Sequence, residues 1–167
     1  MSLLKDGRLA SDPWVAVADE APLPEGAPAL VSLARWQRER TDLRARNRAV
    51  GVRLPNAAPV ETIADDLDRL DLIALEFPKF NDGRAFSQAR LLRERHGYRG
   101  ELRATGNVLR DQLLFMARCG FDAFEIAKGD PAASWASALA EFTVFYQPTR
   151  DGRAPAGALR QRADAAD

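Results

Sequence analysis

Short apolar runs alternate with stretches whose apolar residues recur at helical spacing, most clearly between residues 72 and 126. Residues 72–77, 101–104 and 121–126 carry the first pattern, and two amphipathic segments separate them. This alternation predicts consecutive βαβ units with parallel strands. The nearly unbroken apolar run at 72–76 suits a strand covered on both faces.

The same grammar extends upstream. Residues 29–33 and 49–54 read as strands entering the sheet, and 14–18 as an outer strand after an irregular or lightly β-structured lead-in. Helices are expected over 34–48, with Trp36 and Leu43 on one side, and over 60–70, with Val60, Ile63, Leu67 and Leu70 at near-helical spacing. Residues 84–96 and 107–119 predict two more, each ended by a glycine, Gly97 or Gly120, suited to a left-handed cap. An aromatic residue and a strand follow each terminator, so one structural phrase is used twice. Asp130-Pro131 opens a last helix with a cap and a first-turn proline. Residues 143–146 are expected to close the sheet.

Together these elements predict an α/β fold: a mainly parallel sheet of repeated βα units with helices on both faces. A partial or incomplete βα barrel of the same units is the alternative. Residues 1–148 form a single domain in this reading, and 149–167 a flexible tail without apolar period.

The chain of 167 residues can bury a core without staples. Its 24 basic and 24 acidic residues balance, which argues against a field that holds nucleic acid or an anionic membrane. No run approaches the roughly 20 apolar residues of a membrane span. No long apolar stretch opens the chain, and a cytoplasmic location is expected. One cysteine, Cys119, and one histidine, His96, cannot by themselves supply a zinc or iron–sulfur site, and no nucleotide-binding glycine motif occurs. No cofactor or metal is therefore expected. Six arginines crowd residues 35–48; they read as a solvated helix face or as a docking surface for an acidic partner.

In parallel sheets, ligands bind outside the carboxyl ends of the strands. Projected there are Arg53, Glu76, Lys79, Arg103 and Thr105, joined by Asp82, Arg84 and Ser87 from the following helix. Cations at such a position suit a small oxyanion, with Lys79, Arg84 and Arg103 as the clamp, Ser87 and Thr105 beside them, and Glu76 as a proton carrier. The competing reading is a salt-bridge network that ties loops together. Ser87 lacks a histidine partner, and Cys119, near a helix C-terminus, is expected to be structural rather than nucleophilic. If Glu125 or Asp122 points into the sheet layer, an arginine such as Arg103 would serve as partner.

The segments Glu76-Phe77-Pro78-Lys79-Phe80, Asp82-Gly83-Arg84, Ser87-Gln88-Ala89-Arg90-Leu91-Leu92, Gly100-Glu101-Leu102-Arg103-Ala104, Asp111-Gln112 and Cys119-Gly120-Phe121-Asp122-Ala123-Phe124 resemble a bacterial family catalogued as domain of unknown function 934. The resemblance runs from about residue 3 to 148. Members are often labelled oxidoreductases of sulfite reduction, because they keep company with sulfite reductase and sulfate-activation enzymes. The resemblance thus implies a pathway, with the sulfite reductase hemoprotein subunit as partner, and carries over no catalytic residues. Two classes of function are expected: an accessory protein of assimilatory sulfite reduction that docks on the reductase or binds an oxyanion, and a small enzyme acting on a sulfur or phosphate oxyanion. A homodimeric scaffold is a third, milder option.

Overall fold

The computed structural model describes residues 2–127, 129–147, 149 and 154–164, with side chains to residue 161. Eight strands form one sheet: β1 (Ser2–Lys5), β2 (Arg8–Ala10), β3 (Val15–Ala16), β4 (Ala29–Ser32), β5 (Val50–Leu54), β6 (Leu72–Phe77), β7 (Glu101–Gly106) and β8 (Ala123–Ile126). Their spatial order is β2-β1-β8-β7-β6-β5-β4-β3. From β3 to β8 all neighbours are parallel, while β1 pairs antiparallel with β2 and with β8.

Strands β3 to β8 lie side by side in chain order, so the direction of winding never reverses. Crossovers of one hand then place the helices between β4 and β8 on the same face. The helices are α1 (Leu33–Arg38), α2 (Arg40–Ala45), α3 (Arg84–Arg90), α4 (Leu113–Cys119), α5 (Pro131–Ala140) and α6 (Ala156–Asp164). One apolar core joins the outward alternates of the strands (Val31, Val52, Leu75, Leu102, Phe124) to helical residues such as Trp36, Leu92 and Met116. The fold is α/β with a mainly parallel sheet, in its incomplete-barrel form. Helices on both faces, the first expectation, would need a reversal of strand order that is absent.

The chain itself dictates how far the sheet curls. Laid flat, eight strands would hold the outer two about 34 Å apart. Yet the chain from Ala10, the last residue of β2, to Val15, the first of β3, reaches roughly 18 Å at most. The two outer strands must therefore bend toward each other into a half-barrel. Residues 11–14 form a strap across its concave face.

The strap is preceded by a hairpin that the lead-in reading did not resolve. Asp6 and Gly7 both have positive φ, 49° and 77°, the requirement of a two-residue type I′ turn. Other boundaries shift modestly. The 34–48 helix breaks at Glu39 into α1 and α2, and 60–70 contains only a 3₁₀ turn at Val60–Asp66. The helix expected over 84–96 continues beyond α3 as a π-helical Leu91–Arg95. The segment 143–146 makes a single bridge, Phe145 to Pro155, and stays outside the sheet. Within the expected tail, Ala156–Asp164 is helical, and residues 150–153 and 165–167 lie outside the described residues.

Candidate functional site

Register sorts the concave face into layers. Leu30, Gly51, Leu72 and Glu101 lie opposite one another at the amino-terminal side. Ser32, Arg53, Ala74, Arg103 and Ala123 form the next layer. Glu76 pairs with Thr105 at the carboxyl end. The first layer is plugged: Trp14 packs with Leu30, Leu72 and Ala74. Only glycine at position 51 allows this, since a Cβ there would stand 3.1 Å from the Trp14 ring and 2.9 Å from Leu72 Cβ.

Arg103 occupies the middle of the face and is fully buried. Its Nη1 and Nη2 donate to the two carboxylate oxygens of Asp12 on the strap, at 2.7 and 3.0 Å. Nε donates to Glu101 at 2.8 Å, and Nη1 approaches Glu125 at 3.3 Å. Lys5 adds a second cation, 2.7 Å from Glu101. Three carboxylates thus surround two cations. Burial opposes the charge on Arg103, but the hydrogen bonds to Asp12 and Glu101 outweigh it and hold the guanidinium firmly protonated. Burial likewise pushes Asp12 up, while Arg103 and the Trp14 amide overcome that and leave its carboxyl below the usual range.

The face opens at the carboxyl ends of β3, β4 and β5. A concavity of about 260 Å³ is lined there by Ala16, Asp19, Leu30, Ser32 and Arg53 among others. The Ser32 hydroxyl donates to Asp19 at 2.6 Å and accepts from the Arg35 amide. Arg53 differs from Arg103 in having no tight partner. Its Nε is buried without an acceptor among the described residues. Its nearest carboxylate, Glu76, stands at 3.8 Å, with the two side chains 41% and 37% exposed.

Of the residues expected at the strand ends, the fold brings Glu76, Thr105 and Arg103 onto one face, with Arg103 one pleat deeper. Arg84 is exposed and forked onto Asp82 at 3.0 and 2.7 Å. Lys79 is exposed in the loop after β6. Ser87 faces outward on α3, beside Arg90, Leu91, Glu94 and Arg95. The expected set is therefore divided between the concave face and the outer helices. Arg103 and Glu125 are partners, as anticipated, whereas Asp122 is held by Arg93 at 2.7 Å. Asp12, Asp19 and Ser32 were not among the sequence-derived candidates. An Asp before a Pro-Trp pair carries no signal that it will reach an arginine 91 residues away.

The arginine-rich segment is largely consumed internally. Arg35 donates to the carbonyls of Ala18 and Ala21, and Arg40 and Arg44 converge on Asp66. Arg46 donates to the Pro24 and Ala27 carbonyls. Cys119 is half-buried, and burial raises its thiol pKa, in keeping with a structural thiol. Among the described residues, no cluster of His, Cys, Asp and Glu is arranged to hold a metal ion. None of the helices in them is long and apolar enough to cross a membrane.

Residues 51–157, from β5 through the first turn of α6, match the sequence model of a family described as bacterial protein of unknown function, DUF934. The chain belongs to that family. The matched span includes Arg53, Glu76, Arg103, Thr105 and Glu125, whereas the hairpin, the strap and Ser32 precede it. No curated protein matches the chain.

Proposed function

We propose that this DUF934 protein is an accessory protein of assimilatory sulfite reduction that holds a small oxyanion at the carboxyl end of its half-barrel. Arg53 is the principal cation; the Ser32 hydroxyl beside it is committed to Asp19 and the Arg35 amide. One observation carries this reading: Arg53 lines the concavity with its Nε buried and lacking a hydrogen-bond acceptor among the described residues, its ion-pair partner Glu76 standing as far off as 3.8 Å. A guanidinium so placed offers a fork matched to oxyanion geometry. The pathway comes from the family resemblance. Glu76, next to Arg53 and Thr105, is the group through which a small enzyme acting on the same oxyanion would move a proton.

Calorimetric titration with sulfite, sulfate and phosphate tests the reading. Binding that weakens at least tenfold in Arg53→Met supports it, and binding indifferent to that change removes it. Docking on the sulfite reductase hemoprotein subunit is the second reading, favoured by Phe80 and Phe115, 60% and 52% exposed. Gln112 Nε2 donates to the Phe80 carbonyl at 2.8 Å, which ties the loop after β6 to the start of the Phe115 helix. Co-purification with the hemoprotein, abolished by Phe80→Ser together with Phe115→Ser, tests that reading.

A further inference from the structure

Two guanidinium groups flank Ala74 in one layer of the concave face. Arg53 on β5 and Arg103 on β7 both pair with it, one from each side. Two strand spacings separate their Cα atoms, roughly 10 Å on a flat sheet and less on a concave one. The methyl of Ala74 fills little of the space between. That space is occupied by the protein's own strap: Ala74 is fully buried in the cluster that Trp14 joins, and Asp12 sits bidentate on Arg103.

Asp12 is also the odd member of its cluster. Glu101 and Glu125 belong to strands β7 and β8, whereas Asp12 comes from a segment with no ladder hydrogen bonds of its own. With Lys5 and Arg103 opposite three carboxylates, Asp12 is the surplus negative charge. Exchanging it for a singly charged anion leaves the cluster's net charge unchanged, and a dianion such as sulfate adds one negative charge that Arg53, on the other side of Ala74, offsets.

The geometry points to the strap as an intramolecular occupant of an oxyanion site: the Asp12 carboxylate takes the place on Arg103 that a sulfur or phosphorus oxyanion fills when the strap is displaced. Arg53 then closes on the same anion from across Ala74. This inference rests on the oxyanion reading above and supplies its regulation. A tethered carboxylate competes at an effective concentration of order millimolar. The site in the intact chain is therefore selective for anions that can use both arginines at once.

The test is calorimetric titration of sulfate and phosphate into the full chain and into Asp12→Asn, Asp12→Asn/Arg53→Met and Trp14→Phe variants, with tryptophan emission followed in parallel. Asp12→Asn is expected to bind at least tenfold more tightly than the unchanged chain. Saturating sulfate is expected to shift the emission of the intact protein to the red, and the shift should vanish in Trp14→Phe. Equal affinity in Asp12→Asn and the intact protein overturns the displacement, while a dependence on Arg53 in that same experiment still upholds the rim reading. Tighter binding by Asp12→Asn that ignores Arg53→Met keeps the displacement of Asp12 from Arg103 and defeats both the closing of Arg53 on that anion and the rim reading. If Asp12→Asn does not fold, the emission of the intact protein decides: no Trp14-dependent change at saturating sulfate overturns the proposal.

Discussion

Arg53 and Arg103 stand opposite the same residue, Ala74, from neighbouring strands, yet their situations are unlike. Arg103 is 1% exposed and bonded to three carboxylates; Arg53 is 41% exposed with one carboxylate at 3.8 Å. Strands β7 and β8 supply Glu101 and Glu125 to one arginine, and the strap adds Asp12 to the same one. Equivalent positions in a parallel sheet have thus become a structural clasp and an available cation.

Removing the clasp is expected to be costly. Arg103→Met leaves Asp12, Glu101 and Glu125 crowded together without their shared cation. Breaking a buried ion cluster in this way costs about 3–5 kcal/mol, read as a lowered urea midpoint. Arg103→Lys restores the charge but not the fork, so its midpoint should fall between those of Met and the unchanged protein.

Gly51→Ala forces a Cβ against Leu72 and the Trp14 ring. Overpacking of this kind costs about 1–3 kcal/mol. The ring is the movable neighbour, so Trp14 should leave the face, and a red-shifted emission absent from the Gly51→Ala/Trp14→Phe double variant would report it.

Gly7→Ala places a Cβ 2.4 Å from Trp135 Nε1 at a φ of 77°. Type I′ turns need residues that tolerate this conformation. The expected result is loss of order in the hairpin with the parallel sheet intact, seen as fast amide exchange confined to β1, β2 and the flank of β8.

Two carboxylates tied to the fold contribute to the pH response in the same sense. Asp12 and Asp66 are both pushed up by burial but drawn down further, by Arg103 in one case and by Arg40, Trp36 and Arg44 in the other. A carboxyl depressed on folding contributes stability that is complete above its unfolded pKa, about 3.9, and is lost as pH falls through its folded value. Unfolding free energy from these two groups should thus hold steady from pH 7 to 5 and decline below about pH 4. Asp66→Asn should reduce stability at pH 7 and flatten that acid limb; an unchanged limb would exclude Asp66 from it.

The parallel strands were legible because burial on both faces leaves near-continuous apolar runs, and the glycine terminators because Gly97 and Gly120 do adopt positive φ, 66° and 108°. The choice between an open doubly wound sheet and a half-barrel was not, because it depends on strand order rather than on strand content. Asp6-Gly7 is a strong hairpin signal that the surrounding charges, Lys5 and Arg8, obscured. α6 has no apolar stripe, yet its alanines and arginines favour helix by propensity alone. The site was half legible. Glu76 and Thr105 fall at strand ends by simple counting, whereas the tie from Asp12 to Arg103 spans most of the described sheet and leaves no local trace.

The half-barrel is held as a bow is held by its string. Its outer strands, β2 and β3, do not pair with each other, so no closing ladder maintains the bend. The covalent run from Ala10 to Val15 limits how far the outer strands can part. A single proteolytic nick between Ser11 and Trp14 would leave every ladder hydrogen bond in place and leave the two outer strands tied only through Asp12 on Arg103 and Trp14 on the face. In the intact chain the span between the two outer strands is bounded by five peptide links, from Ala10 to Val15.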